Sequence, residues 1–210
     1  MRLLKGVYSA APKWRYNALM QFCGTCGGDL IRRIPAGDTR VRDVCPHCSA
    51  IHYQNPKLVA GCLATWEGRV LLCRRAIEPR LGFWTLPAGF MENEETTNEA
   101  AARETIEEAQ ARVAIEGLYT VFNLPHISQV YFLFRARLLD LAFGPGTESL
   151  EVALFDEHEI PWDELAFPAV QETLKLYYED RKAGHYPFRM GDLLKGEQGM
   201  DYRVQFLFGP

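Results

Sequence analysis

The sequence predicts an α/β domain preceded by a small cysteine-pinned unit, and three observations carry that reading. Cys23-x-x-Cys26 and Cys45-x-x-Cys48 stand 18 residues apart near the start. From Lys57 onward come apolar, strand-like runs such as LVAGCLATW and RVLLCRR. Between strand-like runs lies TTNEAAARETIEEAQ, whose composition favours a helix.

A chain of 210 residues can bury one good core with a small appendage beside it. It is 48% hydrophobic and 24% charged with a formal charge of -4, so no strong overall field argues for nucleic acid. No run approaches the roughly 18 apolar residues of a membrane span, and the N-terminus lacks the apolar core of a secretory signal. A soluble, cytoplasmic protein without a membrane partner is expected. Arg2, Lys5, Lys13 and Arg15, with no acid among them, keep organellar targeting open. Six cysteines in a non-secretory chain argue against a disulfide scaffold.

In chain order, residues 1–19 read as a leader, 20–55 as the cysteine unit, 56–180 as the main domain and 181–210 as a C-terminal extension. The two Cys-x-x-Cys pairs suit tetrahedral zinc, because each pair turns two sulfurs toward one point. Cys23, Cys26, Cys45 and Cys48 therefore predict a zinc ribbon whose closed site supplies folding energy; a redox or catalytic zinc is the alternative. His47 and His52 could substitute as ligands, but with four cysteines available they are expected to be exposed or beside the ligands, and Cys62 and Cys73 are expected in the core. Arg32, Arg33, Arg40 and Arg42 decorate the loop between the pairs. Aromatic residues are sparse there, so a solvated surface is expected and nucleic acid is not, although a binding module remains a second class of function.

LVAGCLATW and RVLLCRR flank a Glu67-Gly68 turn and read as a hairpin of two largely buried strands. Pro79, Gly82, Pro87 and Gly89 break any period over residues 76–95. Helix signals run from Thr97 and Asn98, which can cap first-turn amides, to about Ala111. Strands follow in ARVAIEGLYTVFN and QVYFLFRARLLD, then a loop, AFGPGTES, and a short EVALF strand. FPAVQETLKLYYED, with Val170, Leu174 and Tyr177 at helical spacing, predicts a packing helix. The last 30 residues have strand character without a motif.

Residues 87–110 hold seven glutamates and one arginine. On a helix, Glu104, Glu107 and Glu108 share one arc, while Ala101, Ala102, Thr105, Ile106 and Ala109 form an opposite arc suited to packing on a sheet. Acids four apart on one face repel by a few tenths of a kcal/mol, roughly, and a shared divalent cation reverses that sign. A solvated acidic face and a site for metal-assisted phosphate chemistry both fit. Arg103 can pair with Glu107 or Glu95.

Gly89, five residues, Glu95, seven residues, then Arg103-Glu104-x-x-Glu107-Glu108 resembles the signature box of the Nudix hydrolases, which cleave nucleoside diphosphates linked to another moiety. The resemblance implies an α/β/α sandwich around a mixed sheet. It also implies Mg²⁺ or Mn²⁺ held by Glu104, Glu107 and Glu108, with Gly89 contributing through its backbone and Glu95 supporting the site, while Arg103 is expected from its spacing to orient the cluster. Thr105 stands where the family has an apolar residue, and Gln110 where it has a glycine.

The ribbon, YQNPKLVAGCLA, VLLCRR, GFWTLPAGF, FGPGTESLE and IPWDELAF together are similar to the plant chloroplast FAD pyrophosphatase branch and its bacterial relatives. That implies a small dinucleotide or nucleotide-sugar substrate, FAD or ADP-ribose, and a homodimer. NADH pyrophosphatases share the ribbon but carry a Ser-Gln-Pro-Trp-Pro-Phe-Pro motif where this chain reads VFNLPHISQVYF. A flat ligand needs apolar surfaces. Trp84 and Phe83, in the loop before the box, are candidates to meet a base or isoalloxazine, Trp84 the better one, with packing the alternative. His126 and Gln129 are candidates to touch substrate. Related enzymes draw a general base from a late loop, which makes Glu148 and Glu151 candidates here.

Overall fold

A computed structural model describes residues 20–196 and 202–208. The leader over 1–19 lies outside the described residues. The chain divides between Asn55 and Pro56 into two units.

In the first unit β1 (Ile31–Arg33), β2 (Arg42–Val44) and β3 (Ile51–His52) pair antiparallel in that order. Each Cys-x-x-Cys closes a tight turn: the Gly27 amide bonds to the Cys23 carbonyl at 2.8 Å, and the Ser49 amide to the Cys45 carbonyl at 3.0 Å. Both turns end in the left-handed region, at Gly27 (φ 73°) and Ser49 (φ 61°). Arg42 pairs with Asp38 at 2.8 Å and lies over Tyr53, while Arg32 approaches Asp43 at 3.9 Å. Two of the four loop arginines thus have acidic neighbours within the unit.

The second unit is built on β4 (Lys57–Trp66), which makes a hairpin with β5 (Arg69–Arg75) through the expected Glu67-Gly68 turn. Two short strands, β6 (Trp84–Thr85) and β7 (Ala88–Phe90), pair with β5 and β4 respectively. Then come α1 (Thr97–Ala109), β8 (Val113–Leu124), β9 (Gln129–Leu138), β10 (Ser149–Phe155), α2 (Pro168–Ala183), β11 (Arg189–Lys195) and β12 (Tyr202–Phe208). The sheet order is β10-β5-β4-β9-β8-β11-β12. β4 runs parallel to β9 and β8 to β11, and the other pairs are antiparallel, so the sheet is mixed. The sequence predicted strand character in the last 30 residues; there β11 and β12 extend the main sheet.

Alternation along β4 sorts two cores. Val59 and Leu63 join a core with Val170, Leu174 and Tyr177 of α2, whereas Ala60, Cys62 and Ala64 join one with Ala100, Ala101 and Ala109 of α1. A helix on each face makes the α/β/α sandwich. The α1 side is lined by small residues, which lets the helix approach the sheet closely. At the other helix, Arg189 of β11 donates twice to Asp180, at 2.6 and 2.7 Å, and the Tyr119 hydroxyl donates to the same buried carboxylate at 2.5 Å. Burial raises the Asp180 pKa, but these donors outweigh it and hold the carboxyl below its usual range.

The cap of α1 differs from expectation by one residue. Thr96, not Thr97 or Asn98, is the N-cap: its side chain accepts from the Glu99 amide, and the Glu99 carboxylate accepts from the Thr96 amide at 2.8 Å. Thr96-x-x-Glu99 is a capping box, which accounts for one of the seven glutamates without invoking chemistry.

Candidate active site

The helix presents its acids differently from the two-arc picture. Glu104 and Glu108 are buried, together with Ala101, Thr105 and Ala109, while Ile106 is 52% exposed and Glu107 is exposed. The anchoring face therefore includes two glutamates, because β7 covers them. The Ala88 amide of β7 donates to Glu108 Oε2 at 3.0 Å. A Cβ at Gly89 would lie 2.3 Å from Glu104 Oε2, so only glycine leaves room for that carboxylate.

Arg103 gathers the cluster. Its Nε and Nη2 donate to the two Glu95 oxygens at 3.0 and 2.7 Å, and Nη1 reaches Glu104 at 2.8 Å and Glu107 at 3.0 Å. Nη2 also donates to the Phe90 carbonyl at 3.2 Å. Glu95 further accepts from the Glu92 amide. Arg103 is its main stabiliser and holds its carboxyl down at about 2. Glu104 and Glu108 move the other way. Burial raises both; Glu108, opposed by the Ala88 amide and pushed further by Glu104 and Glu148, reaches about 7. One carboxylate is locked ionised beside a guanidinium, and another titrates near neutrality.

The two late-loop acids part company. Glu148 acts electrostatically on both Glu104 and Glu108. Glu151 lies 3.8 Å from Arg74. The loop bearing Glu148 docks on the end of α1, where the Gly144 amide bonds to the Ala109 carbonyl at 2.9 Å and the Gly146 amide to the Glu108 carbonyl at 3.0 Å.

The aromatic candidates separate as well. Trp84 is 7% exposed, edge-on to Phe155 at 4.9 Å, and belongs to the α2-side core. The packing alternative holds for it, because the ring is buried within that core with Phe155 against it. Phe83 is half-buried beneath the Arg80 guanidinium. His126 lies 5.5 Å from the Tyr202 ring of β12, and Gln129 is buried at the start of β9, between β4 and β8. Neither is drawn into the Arg103 cluster.

One residue, Arg75, escaped the sequence reading, and the two departures named there, Thr105 and Gln110, are explained by their contacts. Arg75, buried at the end of β5, donates to the Pro79 carbonyl, lies over Phe167 and lowers the pKa of Glu108 by its charge. The available signal was the Arg74-Arg75 pair closing the apolar run VLLC of β5. Thr105 satisfies its buried hydroxyl by donating to the Ala101 carbonyl at 2.7 Å, so this departure from an apolar residue costs the packing little. Gln110 is left-handed at φ 50° and uses its side chain, donating to the Pro145 carbonyl at 2.9 Å.

The cysteines form a second site. Cys23, Cys26, Cys45 and Cys48 have sulfurs within 4.8 Å of one another, with Cys23···Cys48 at 3.6 Å and Cys26···Cys45 at 3.4 Å. A tetrahedron of about 2.3 Å zinc–sulfur bonds has edges of about 3.8 Å. The quartet fits zinc. His52 Nε2 lies 3.3 Å from the Cys23 sulfur, beside the ligands as expected, and Cys62 and Cys73 are buried in the α1-side core. Among the described residues no helix is long and apolar enough to cross a membrane.

Comparison with known proteins agrees with this geometry. A family model described as "NUDIX domain" matches residues 55–178, and one described as "Nudix N-terminal" matches residues 21–54. A NAD-capped RNA hydrolase of Edwardsiella ictaluri is 32% identical over 132 residues, 60% of this chain and 48% of that protein. The chain thus spans about half the length of that curated relative. An ADP-ribose pyrophosphatase of Methanocaldococcus jannaschii is 29% identical over 124 residues, 55% of this chain and 69% of that protein. A crystal structure of a NUDIX hydrolase from Nitrosomonas europaea has 60% identity and a TM-score of 0.82, covering 84% of this chain and all of that one.

Proposed function

The chain belongs to the Nudix family through its NUDIX domain at residues 55–178, and from that premise we propose that it hydrolyses a nucleotide-linked diphosphate with Mg²⁺ or Mn²⁺, preferring FAD or ADP-ribose. The observation that carries the proposal is the burial of Glu104 and Glu108 one helical turn apart. Two buried like charges oppose each other's ionisation, and a cation relieves both. The donor set fits a hard cation: all its atoms are oxygens, and the Glu104 carboxylate fills the space a side chain at position 89 would take.

Glu104, Glu107, Glu108 and the Gly89 backbone would hold the metal, which when bound would supply charge neutralisation at the diphosphate and a more nucleophilic water. The chain's own residues supply orientation and proton traffic. Arg103, fixed by Glu95, holds Glu104 and Glu107 in place. Glu148, the acid whose charge reaches both buried glutamates, takes the proton from the attacking water. The new phosphorus–oxygen bond forms as the bridging one breaks, and the bridging oxygen leaves with the second phosphate. FAD then yields FMN and AMP, and ADP-ribose yields ribose 5-phosphate and AMP.

The names of the two curated relatives support the substrate class, since NAD and ADP-ribose both join AMP to a ribosyl group through a diphosphate. FAD joins the same AMP half to a flavin chain, and the preference for it rests on the resemblance to the FAD pyrophosphatase branch. NADH is the second reading, favoured by the first relative's name. A panel of FAD, ADP-ribose, NADH and coenzyme A with Mg²⁺ or Mn²⁺, products separated chromatographically, ranks them. AMP release that Glu108→Gln abolishes supports the proposal; release untouched by it sinks the proposal. A cytoplasmic homodimer belongs to the same reading, and a monomer mass by light scattering removes the dimer from it.

A further inference from the structure

We infer that Gln110 is a positioning residue, which clamps the loop bearing Glu148 onto the C-terminal end of α1. The inference deepens the reading above and rests on it for its kinetic arm alone. Three consecutive residues of α1 and its cap receive the loop. Glu108 and Ala109 accept from the Gly146 and Gly144 amides at 3.0 and 2.9 Å, and the Gln110 side-chain amide donates to the Pro145 carbonyl between them at 2.9 Å. A Cβ at Gly146 would lie 1.7 Å from the Glu107 carbonyl oxygen, an approach only glycine permits. Beyond the clamp, the Ser149 amide bonds to the Gly146 carbonyl at 3.2 Å and the Ala76 amide to the Glu148 carbonyl at 2.8 Å. Glu148 is therefore carried on a short span tied at both ends.

Glutamine is a costly choice for this position by backbone criteria. Gln110 sits at φ 50°, ψ 24°, which glycine adopts freely and a side chain does not. What glutamine brings is its side-chain N–H, which donates to the Pro145 carbonyl. As an exposed residue it can contribute little to global stability. Its effect falls on where the loop rests.

The test uses the full-length zinc-loaded chain with Gln110→Gly, Gln110→Met, Gln110→Lys and Gly146→Ala. Gln110→Gly relaxes the backbone and removes the donor, Gln110→Met keeps the shape without the donor, and Gln110→Lys restores one. We expect kcat for AMP release to fall about 2- to 12-fold in the first two, the worth of one hydrogen bond, with KM within about twofold and the melting temperature of Gln110→Gly no lower than wild type. Gln110→Lys should recover most of the loss, and Gly146→Ala should mimic it with Gln110 intact. Amide hydrogen exchange over residues 141–148 should quicken by a similar factor in Gln110→Gly and Gln110→Met. Unchanged exchange in both variants overturns the clamp, as does unchanged kcat in an active enzyme. If the wild-type chain hydrolyses nothing, the exchange result still decides the clamp, and the failure belongs to the proposed function.

Discussion

Replacing Glu108 with glutamine should remove hydrolysis and, in the absence of Mg²⁺ and Mn²⁺, make the protein more stable. Glu108 is 6% exposed, and burial lifts its carboxyl from 4.5 to about 7. At about 1.36 kcal/mol per unit, keeping it ionised costs the fold about 3 kcal/mol. Below the unfolded pKa the carboxyl is protonated in both states and the cost is absent. As pH rises toward 7 the unfolded chain ionises first, so the wild type loses stability, and above 7 the loss is complete. Glutamine never ionises, and its side-chain carbonyl can still accept from the Ala88 amide. The variant should therefore gain about 3 kcal/mol at about pH 8 and nothing at about pH 4.5. For a chain of this size that is about 6–12 °C in Tm. Thermal unfolding of zinc-loaded protein across that pH range measures it. A variant less stable than wild type at about pH 8, or a difference that ignores pH, refutes the reasoning. Added Mg²⁺ should shrink the gap by stabilising the wild type alone.

Two further outcomes concern the scaffold. Arg189→Met leaves the buried Asp180 carboxylate with only the Tyr119 hydroxyl, and it should cost about 3–5 kcal/mol by calorimetry; a loss below about 1 kcal/mol would show the pair to be incidental. Because the Asp180 carboxyl is held low, its stabilisation is present above the ordinary aspartate range and fades as pH falls through its native value. Native mass spectrometry should find one zinc per chain, lost in Cys48→Ser together with protease resistance over residues 20–55. Zinc near zero in wild type purified without chelator would overturn the ribbon assignment.

Local signals carried much of this protein into view. The β4–β5 hairpin, α1 and the ligand spacing of the cysteines each occupy a short window whose turn residues, periodicity or offsets can be read directly. Pairings between distant strands have no such signature, so the parallel β4–β9 and β8–β11 contacts came only through a family resemblance or not at all. The same limit divided the site. Glu104 and Glu108 could be placed on one helix face, yet their burial depends on β7 folding over them. Glu148 and Glu151 are alike in sequence, and only the register of β10 beside β5 gives one to Arg74 and leaves the other near the buried glutamates. Trp84 was a candidate platform because it lies in the loop just before the box, with packing the alternative. The loop turns inward, and Phe155, from a strand far along the chain, covers the ring.

The parallel pairing of β4 with β9 also has a history written into it. β4 is made before β9 and can pair first only with β5 and β7, and the neighbour on its other edge arrives after the whole of α1 and β8 has been made. Until then one edge of the central strand is open, and the small residues Ala60, Cys62 and Ala64 wait for a helix to cover them. Non-local pairing of this kind slows folding and prolongs the life of an uncovered edge. The nascent chain is thus most vulnerable to aggregation while it lacks β9.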